Sequence, residues 1–164
     1  MQDSHSTASL IQESYRRLRQ LARQQLDAGG SISPTDLVHE VFLRMEGHEW
    51  ESDLHFRRTA VKAMRQIIVD RARRRGAAKR GGGAVRVTLR GVGEVVDPVD
   101  ALALDAVIAK LHEADARRGQ VAELVVFGGF SQEEVAELLG ASVRTVQRDW
   151  RVARALLRAE LLGG

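Results

Sequence analysis

The sequence predicts an all-α protein built as two small helical domains joined by a flexible linker. Three observations predict it. Apolar residues recur at helical spacing up to Arg75 and again beyond Pro98. Helix start signals stand ahead of those periods, as in Ser33-Pro34-Thr35-Asp36 and Ser131-Gln132-Glu133-Glu134. Between them, residues 76–98 lose the period and gather glycine. A chain of 164 residues that is 44% hydrophobic can bury a core, and its length suits one ordinary domain or two small ones. The expected division is 1–75, a linker at 76–98, and 99–164.

Taking the elements in order, Ile11, Tyr15, Leu18 and Ala22 give a first helix over Leu10 to Leu26, which Gly29-Gly30 ends. Ser33 is a good N-cap, Pro34 is preorganised for a first helical position, and Asp36 favours the positive end of the dipole, so a second helix opens there. Leu37, Val38, Val41, Phe42 and Met45 form its buried stripe, and Gly47 breaks it. A long third helix is expected from about Leu54 to Arg75, with Phe56, Ala60, Ala63, Met64, Ile67 and Ile68 inward and Arg58, Lys62 and Arg65 outward. The linker holds Gly81-Gly82-Gly83 and a short extended stretch, Val85 to Leu89. Its triple glycine is no phosphate loop, since no Gly-Lys-Ser/Thr follows. The helical period resumes at Leu104, Val107, Ile108 and Leu111, then at Val121, Leu124 and Phe127, and again from Ser131 onward.

Several function classes are excluded or weakened. The chain has no cysteine, hence no disulfide, no thiolate metal site and no cysteine nucleophile. His39-Glu40 begins a zinc-protease-like motif, but Leu43 stands where the second His is required, and His5, His48, His55 and His112 are scattered. No catalytic set, metal site or cofactor is therefore expected, and the chain reads as no enzyme. No apolar run approaches the roughly 20 residues that span a bilayer, and the polar stretch Met1 to Ser9 lacks a secretory signal, so a cytoplasmic location is expected.

The net charge of +3 conceals strong segregation. From Arg57 to Arg80 ten basic residues face one acid, Asp70, whereas from Glu94 to Leu139 ten acids face Lys110, Arg117 and Arg118. Arg144, Arg148, Arg151, Arg154 and Arg158 make the end basic again. Two basic surfaces separated by an acidic one suit two contacts with a polyanion, or simply solvated faces. The acidic stretch could also fold back on the basic third helix and mask it.

The last segment narrows the choice. Ser131 and Glu134 match a capping box, Gly140 can end the short helix they open, and Ser142 can cap the next. Ala136, Gly140 and Val146 then have the spacing of a helix-turn-helix: a small residue for close approach, a glycine for the turn, and an aliphatic side chain to fill the angle. With Val146, Trp150, Ala153 and Leu157 inward, Arg144, Thr145, Gln147, Arg148 and Arg151 are left to read a major groove. A good bidentate pair there discriminates by about 1 to 3 kcal/mol. Arg154 and Arg158 suit phosphates or solvent.

A helix-turn-helix alone fits a repressor or activator equally well. The first half, however, resembles the sigma-70 superfamily, in the extracytoplasmic-function (ECF) type that keeps only regions two and four. Asp36-Leu37-Val38-His39-Glu40-Val41-Phe42-Leu43-Arg44-Met45 is similar to the region 2.2 helix, and His55 to Arg75 to regions 2.3 and 2.4. Phe130 to Gly140 with Val143 to Arg148 is similar to region 4.2. The resemblance implies an RNA polymerase sigma factor, with core RNA polymerase and promoter DNA as partners. Asp36 and Glu40, one helical turn apart, would meet basic residues of the largest polymerase subunit. The third helix would lie along the −10 element, with Arg58, Lys62, Arg65, Arg71, Arg73 and Arg74 on the backbone and Trp50 and His55 near unstacked bases. For Trp50 and Phe56, core packing is the competing role. Arg144, Thr145, Gln147, Arg148 and Arg151 would read the −35 element.

One departure stands out, because the family's region 2.2 opens on several acids whereas this chain has Ser33-Pro34-Thr35-Asp36. Phosphorylation of Thr35, or of Ser33, by a Ser/Thr kinase would supply about 1.5 to 2 negative charges at a helix N-terminus. The plain alternative is that both are helix-start residues. An anti-sigma factor is a further candidate partner, and the sequence leaves open which of the two, anti-sigma factor or kinase, controls the chain. The rival functions are a stand-alone helix-turn-helix regulator that binds duplex DNA without polymerase and, less supported, an RNA-binding regulator using Arg71 to Arg80.

Overall fold

The computed structural model describes residues 12, 13, 15, 16, 18–20, 22, 23, 32–77, 85–87 and 99–163. The described residues between 12 and 23 are helical, as the periodicity predicts, with Leu18 and Ala22 buried. Tyr15 stacks on Phe42 at 5.6 Å between ring centroids, which fastens this segment to the next helix. The expected stop at Gly29-Gly30 lies outside the described residues.

Helix α1 spans Pro34–Met45 and buries Leu37, Val38, Val41 and Met45. Ser33 occupies its N-cap position with extended backbone, but its side chain makes no capping bond; Pro34 at the first position sets the helical φ instead. Gly47, at φ +80°, turns the chain away. Helix α2 spans Asp53–Ala77, starting and ending slightly beyond the expected Leu54 to Arg75. Its start is held by Ser52, whose hydroxyl oxygen accepts from the His55 amide at 3.1 Å.

Helix α2 is apolar on two sides. Phe56, Ala60, Ala63, Met64 and Ile67 form one buried side, where the Phe56 ring lies 6.4 Å from that of Phe42 on α1, while Val61, Ile68 and Ala72 continue the buried surface round the helix. At about 100° per residue the latter set lies more than a quarter-turn from the first. The second side meets the C-terminal half, so α2 is packed from two directions and links both halves in one continuous core.

Within the linker, residues 85–87 form the extended stretch expected there. Strand β1, Arg86–Val87, pairs antiparallel with strand β2, Val99–Asp100, and the Ala101 amide donates to the Val85 carbonyl at 2.8 Å. Val85 and Val87 are buried. Residues 78–84 and 88–98, with the triple glycine, lie outside the described residues.

Helix α3 spans Ala101–Ala114 and helix α4 Ala116–Val126, each capped by an aspartate. The Asp100 carboxylate accepts from the Leu102 and Ala103 amides, and that of Asp115 from the Arg117 and Arg118 amides. These helices cross closely at Gly119, where an added Cβ would lie 2.3 Å from the His112 ring. Helix α5, Gln132–Leu139, and helix α6, Val143–Leu161, complete the fold. Among the described residues the fold is all-α apart from one two-residue ladder.

Candidate nucleic-acid interface

Helices α5 and α6 form the helix-turn-helix that the spacing predicts. Ser131 and Glu134 make the reciprocal capping box, with the Ser131 amide donating to the Glu134 carboxylate at 2.9 Å. Gly140 ends α5 at φ +62°, a left-handed conformation that costs any other residue about 1 kcal/mol or more. Ser142 accepts from the Thr145 amide at 3.1 Å and so starts α6. Ala136 lies at the contact between the helices, and Val146, Trp150, Ala153 and Leu157 are buried. Arg144, Gln147, Arg148 and Arg151 are exposed on the outer side of α6. From the helix pitch they share an arc of about 100°. Thr145 sits at its edge, half-buried, with its hydroxyl 2.9 Å from that of Ser142.

The residues expected at the −10 element are distributed less simply. His55, Arg58, Lys62, Arg65 and Arg73 line one cleft of about 710 Å³, whose opposite wall carries Asp105, His112, Gln120 and Glu123 from α3 and α4. Arg58, Lys62 and Arg73 are exposed along this wall of α2, whereas Arg74, about 100° further round the helix, is exposed outside the cleft. Arg65 does not point outward as expected. Its side chain is only 16% exposed, donates to Asp105 at 2.8 Å through Nε, and lies 3.4 Å from Glu123. The reason is the second buried side of α2: position 65 falls between Val61 and Ala72 on the surface that meets the C-terminal half. Glu123, itself buried, also lies 3.2 Å from the His112 ring. The acidic helices do therefore meet the basic one.

Arg71 turns the other way and pairs with Glu40 of α1, while Arg44 pairs with Asp70 at 3.3 Å. A residue expected at polymerase and one expected at DNA thus hold each other across α1 and α2. Asp36 and Thr35 are exposed at the start of α1. Trp50 is half-buried in an aromatic cluster, its ring 5.5 Å from His55 and 5.1 Å from Phe56. Phe56 is a core residue, whereas His55 remains exposed at the mouth of the cleft.

A family model described as ECF sigma factor matches residues 2–163. The chain belongs to the ECF sigma factor family. No curated protein and no solved structure matches it. Membership makes this ECF sigma factor a DNA-binding protein of transcription initiation, in a regulatory and non-enzymatic family whose partners are core RNA polymerase and promoter DNA. No described helix is long and apolar enough to cross a membrane.

The ECF sigma factor also carries polar residues that the sequence reading did not single out: Asp105, Glu123, Arg117 and Asp149. Asp149 had a signal, because it stands three residues after Val146 on the inward side of α6. It is 1% exposed and accepts from Arg117 Nε at 2.6 Å. That bond to Asp149 raises the Arg117 pKa above its ordinary value. At the start of α4, hydrogen bonding from the Arg118 amide, with a further bond from the Arg117 amide, holds the Asp115 carboxyl below its ordinary value of 3.8. A depressed pKa gives stability that is complete above the unfolded value and lost as the pH falls through the folded one. Asp115→Ala will therefore lower the unfolding midpoint by a constant amount from pH 7 to about pH 5. Denaturant titrations at successive pH values should show the gap narrowing as the pH falls from about 5 through 3.8 and below.

Proposed function

We propose that this ECF sigma factor directs polymerase to promoters through two separated contacts, α2 at the −10 element and α6 at the −35 element. The observation that carries the reading is the exposed arc of Arg144, Gln147, Arg148 and Arg151 on a capped second helix of a helix-turn-helix. Arg can take both acceptors of guanine and Gln the acceptor and donor of adenine, so these residue types on one face suit base reading in a major groove. Arg58, Lys62, Arg73 and Arg74 supply the backbone charge of the −10 contact, with Arg65 and Arg71 joining them once released from their partners. Trp50 and His55 lie at the same end as an aromatic surface for unstacked bases. Asp36 and Glu40 face polymerase. The domain division follows, with residues 1–75 for polymerase and the −10 element, 76–98 as the connection, and 99–164 for the −35 element.

This reading requires the free arrangement to open. Elements about 25 base pairs apart are separated by about 85 Å of duplex. A compact chain of this length has a radius of gyration of about 15 Å and is about 40 Å across. With α2 packed on α3, α4 and α5, both helices cannot reach their elements together. Opening would free Arg65 from Asp105 and Glu123 and uncover the cleft-lining stripe of α2.

Co-purification with bacterial core polymerase followed by run-off transcription on a promoter library tests the function. The expected result is stable association and transcripts that depend on two elements. Arg148→Ala should retain association and relax selectivity at one base pair of the −35 element by about 10-fold. No association, with tight binding to a palindromic duplex alone, would favour the stand-alone regulator instead.

A kinase provides a further level of control in this proposal. Thr35 is exposed in the first turn of α1, one residue before Asp36, where a phosphate would add charge at the positive end of the helix dipole. Thr35→Glu is expected to bind core polymerase more tightly than Thr35→Ala. Equal affinities of both variants and of the phosphorylated chain would reject the modification as a docking signal.

A further inference from the structure

We propose that Arg117 and Asp149 are positioning residues for base reading: their ion pair fixes the rotation of α6 and thereby sets selectivity at the −35 element. The inference rests on the −35 reading above and adds to it residues that touch no base. Asp149 lies between two readers, Arg148 and Arg151, but its carboxylate points to the opposite side of the helix, where it is 1% exposed. Arg117 reaches it from the first turn of α4, a helix fixed at its own start by the Asp115 cap and at Gly119 by close packing on His112.

The other inward residues of α6 are apolar or aromatic: Val146, Trp150, Ala153 and Leu157. Apolar contact favours burial of that face but is not directional, so it tolerates small rotations of the helix. The Arg117–Asp149 contact is a charge-assisted hydrogen bond of 2.6 Å, which is both short and directional. Rotating α6 by about 20° would move a side chain at a radius of about 5 Å by about 2 Å. A base-edge hydrogen bond works over about 2.7 to 3.2 Å, so such a rotation abolishes it. Rotation would also pull the buried Asp149 carboxylate from its partner, leaving an unpaired charge. The pair therefore penalises the displacements that would blur reading.

Lys110 and Glu160 form a second link between the α3–α4 scaffold and α6, at 2.7 Å. That pair is exposed and lies at the far end of the helix, beyond the readers, so it cannot substitute for the Arg117–Asp149 pair, whose carboxylate is buried although Arg117 is partly exposed.

The test uses the full chain with core polymerase and two promoter pairs. One pair differs by a single base in the −35 element and the other by a single base in the −10 element. The wild-type chain should discriminate each pair by about 5- to 150-fold. The double variant Arg117→Met with Asp149→Leu removes the pair without leaving a buried charge, and such replacements are commonly neutral or stabilising. It is expected to keep the wild-type unfolding temperature and −10 discrimination while −35 discrimination falls by at least about fivefold. Arg117→Lys, which keeps the charge but not the planar guanidinium, serves as the second variant and should also lose −35 discrimination. Wild-type −35 discrimination in both variants would overturn the proposal. A wild-type chain that transcribes with −10 dependence but no −35 dependence would instead overturn the −35 reading, and the positioning role with it.

Discussion

The contact on which the arrangement of this protein most depends is the Arg65 guanidinium between α2, α3 and α4. Its side chain is only 16% exposed, and two carboxylates lie within reach, Asp105 on α3 and Glu123 on α4. A largely buried arginine without such partners would carry a desolvation cost of several kcal/mol, and Glu123 without Arg65 would keep only the His112 ring at 3.2 Å. Each half of the chain therefore supplies the charge that makes the other half's burial tolerable. The net stabilisation from such a group is small compared with the penalty for breaking it one-sidedly. Its effect is to specify one docking geometry on a surface that Val61, Ile68 and Ala72 would otherwise make only generally adhesive.

Much of this protein was legible in its sequence. The cap at Ser131, the left-handed turn at Gly140 and the inward Val146 are local signals, and each is found in the conformation that its chemistry favours. The exposed arc of α6 follows from the same 3.6-residue period. The two-sided burial of α2 was not legible as such, because a helix apolar on two faces has no single stripe to read. By periodicity alone Arg65 belongs with the outward basic residues, on a face that another part of the chain covers. The charge segregation between residues 57–80 and 94–139 pointed to a meeting of the two stretches, but which acid meets which base is a property of the packed structure. Glu40–Arg71 illustrates the same limit, as two residues chosen for different partners turn out to be each other's.

Three arginines of the free sigma factor share one electrostatic arrangement. Bases suited to a phosphate backbone are held next to carboxylates of the same chain: Arg65 by Asp105 and Glu123, Arg71 by Glu40, and Arg44 beside them by Asp70. A polyanion competes for such groups directly, and the carboxylates released are well hydrated once exposed, so exchange is less costly than creating a new unpaired charge. Polymerase would act on the same balance from the other side, by engaging Asp36 and Glu40. Under the proposed function, docking and DNA contact would be linked through the Glu40–Arg71 pair.

The central claim is that the halves packed together in the free chain separate when both promoter elements are engaged. Because the chain has no cysteine, the double variant Glu51→Cys with Ala159→Cys can be labelled at two exposed positions, one in each half, without altering any native thiol. Distances between the labels, measured by electron–electron dipolar spectroscopy in the free chain and in the transcribing complex with core polymerase, test the claim directly. A single short distribution within the roughly 40 Å of a compact chain, shifting to a long one towards about 85 Å in the complex, is the result expected. An unchanged short distance in a complex that transcribes with dependence on both elements would contradict it.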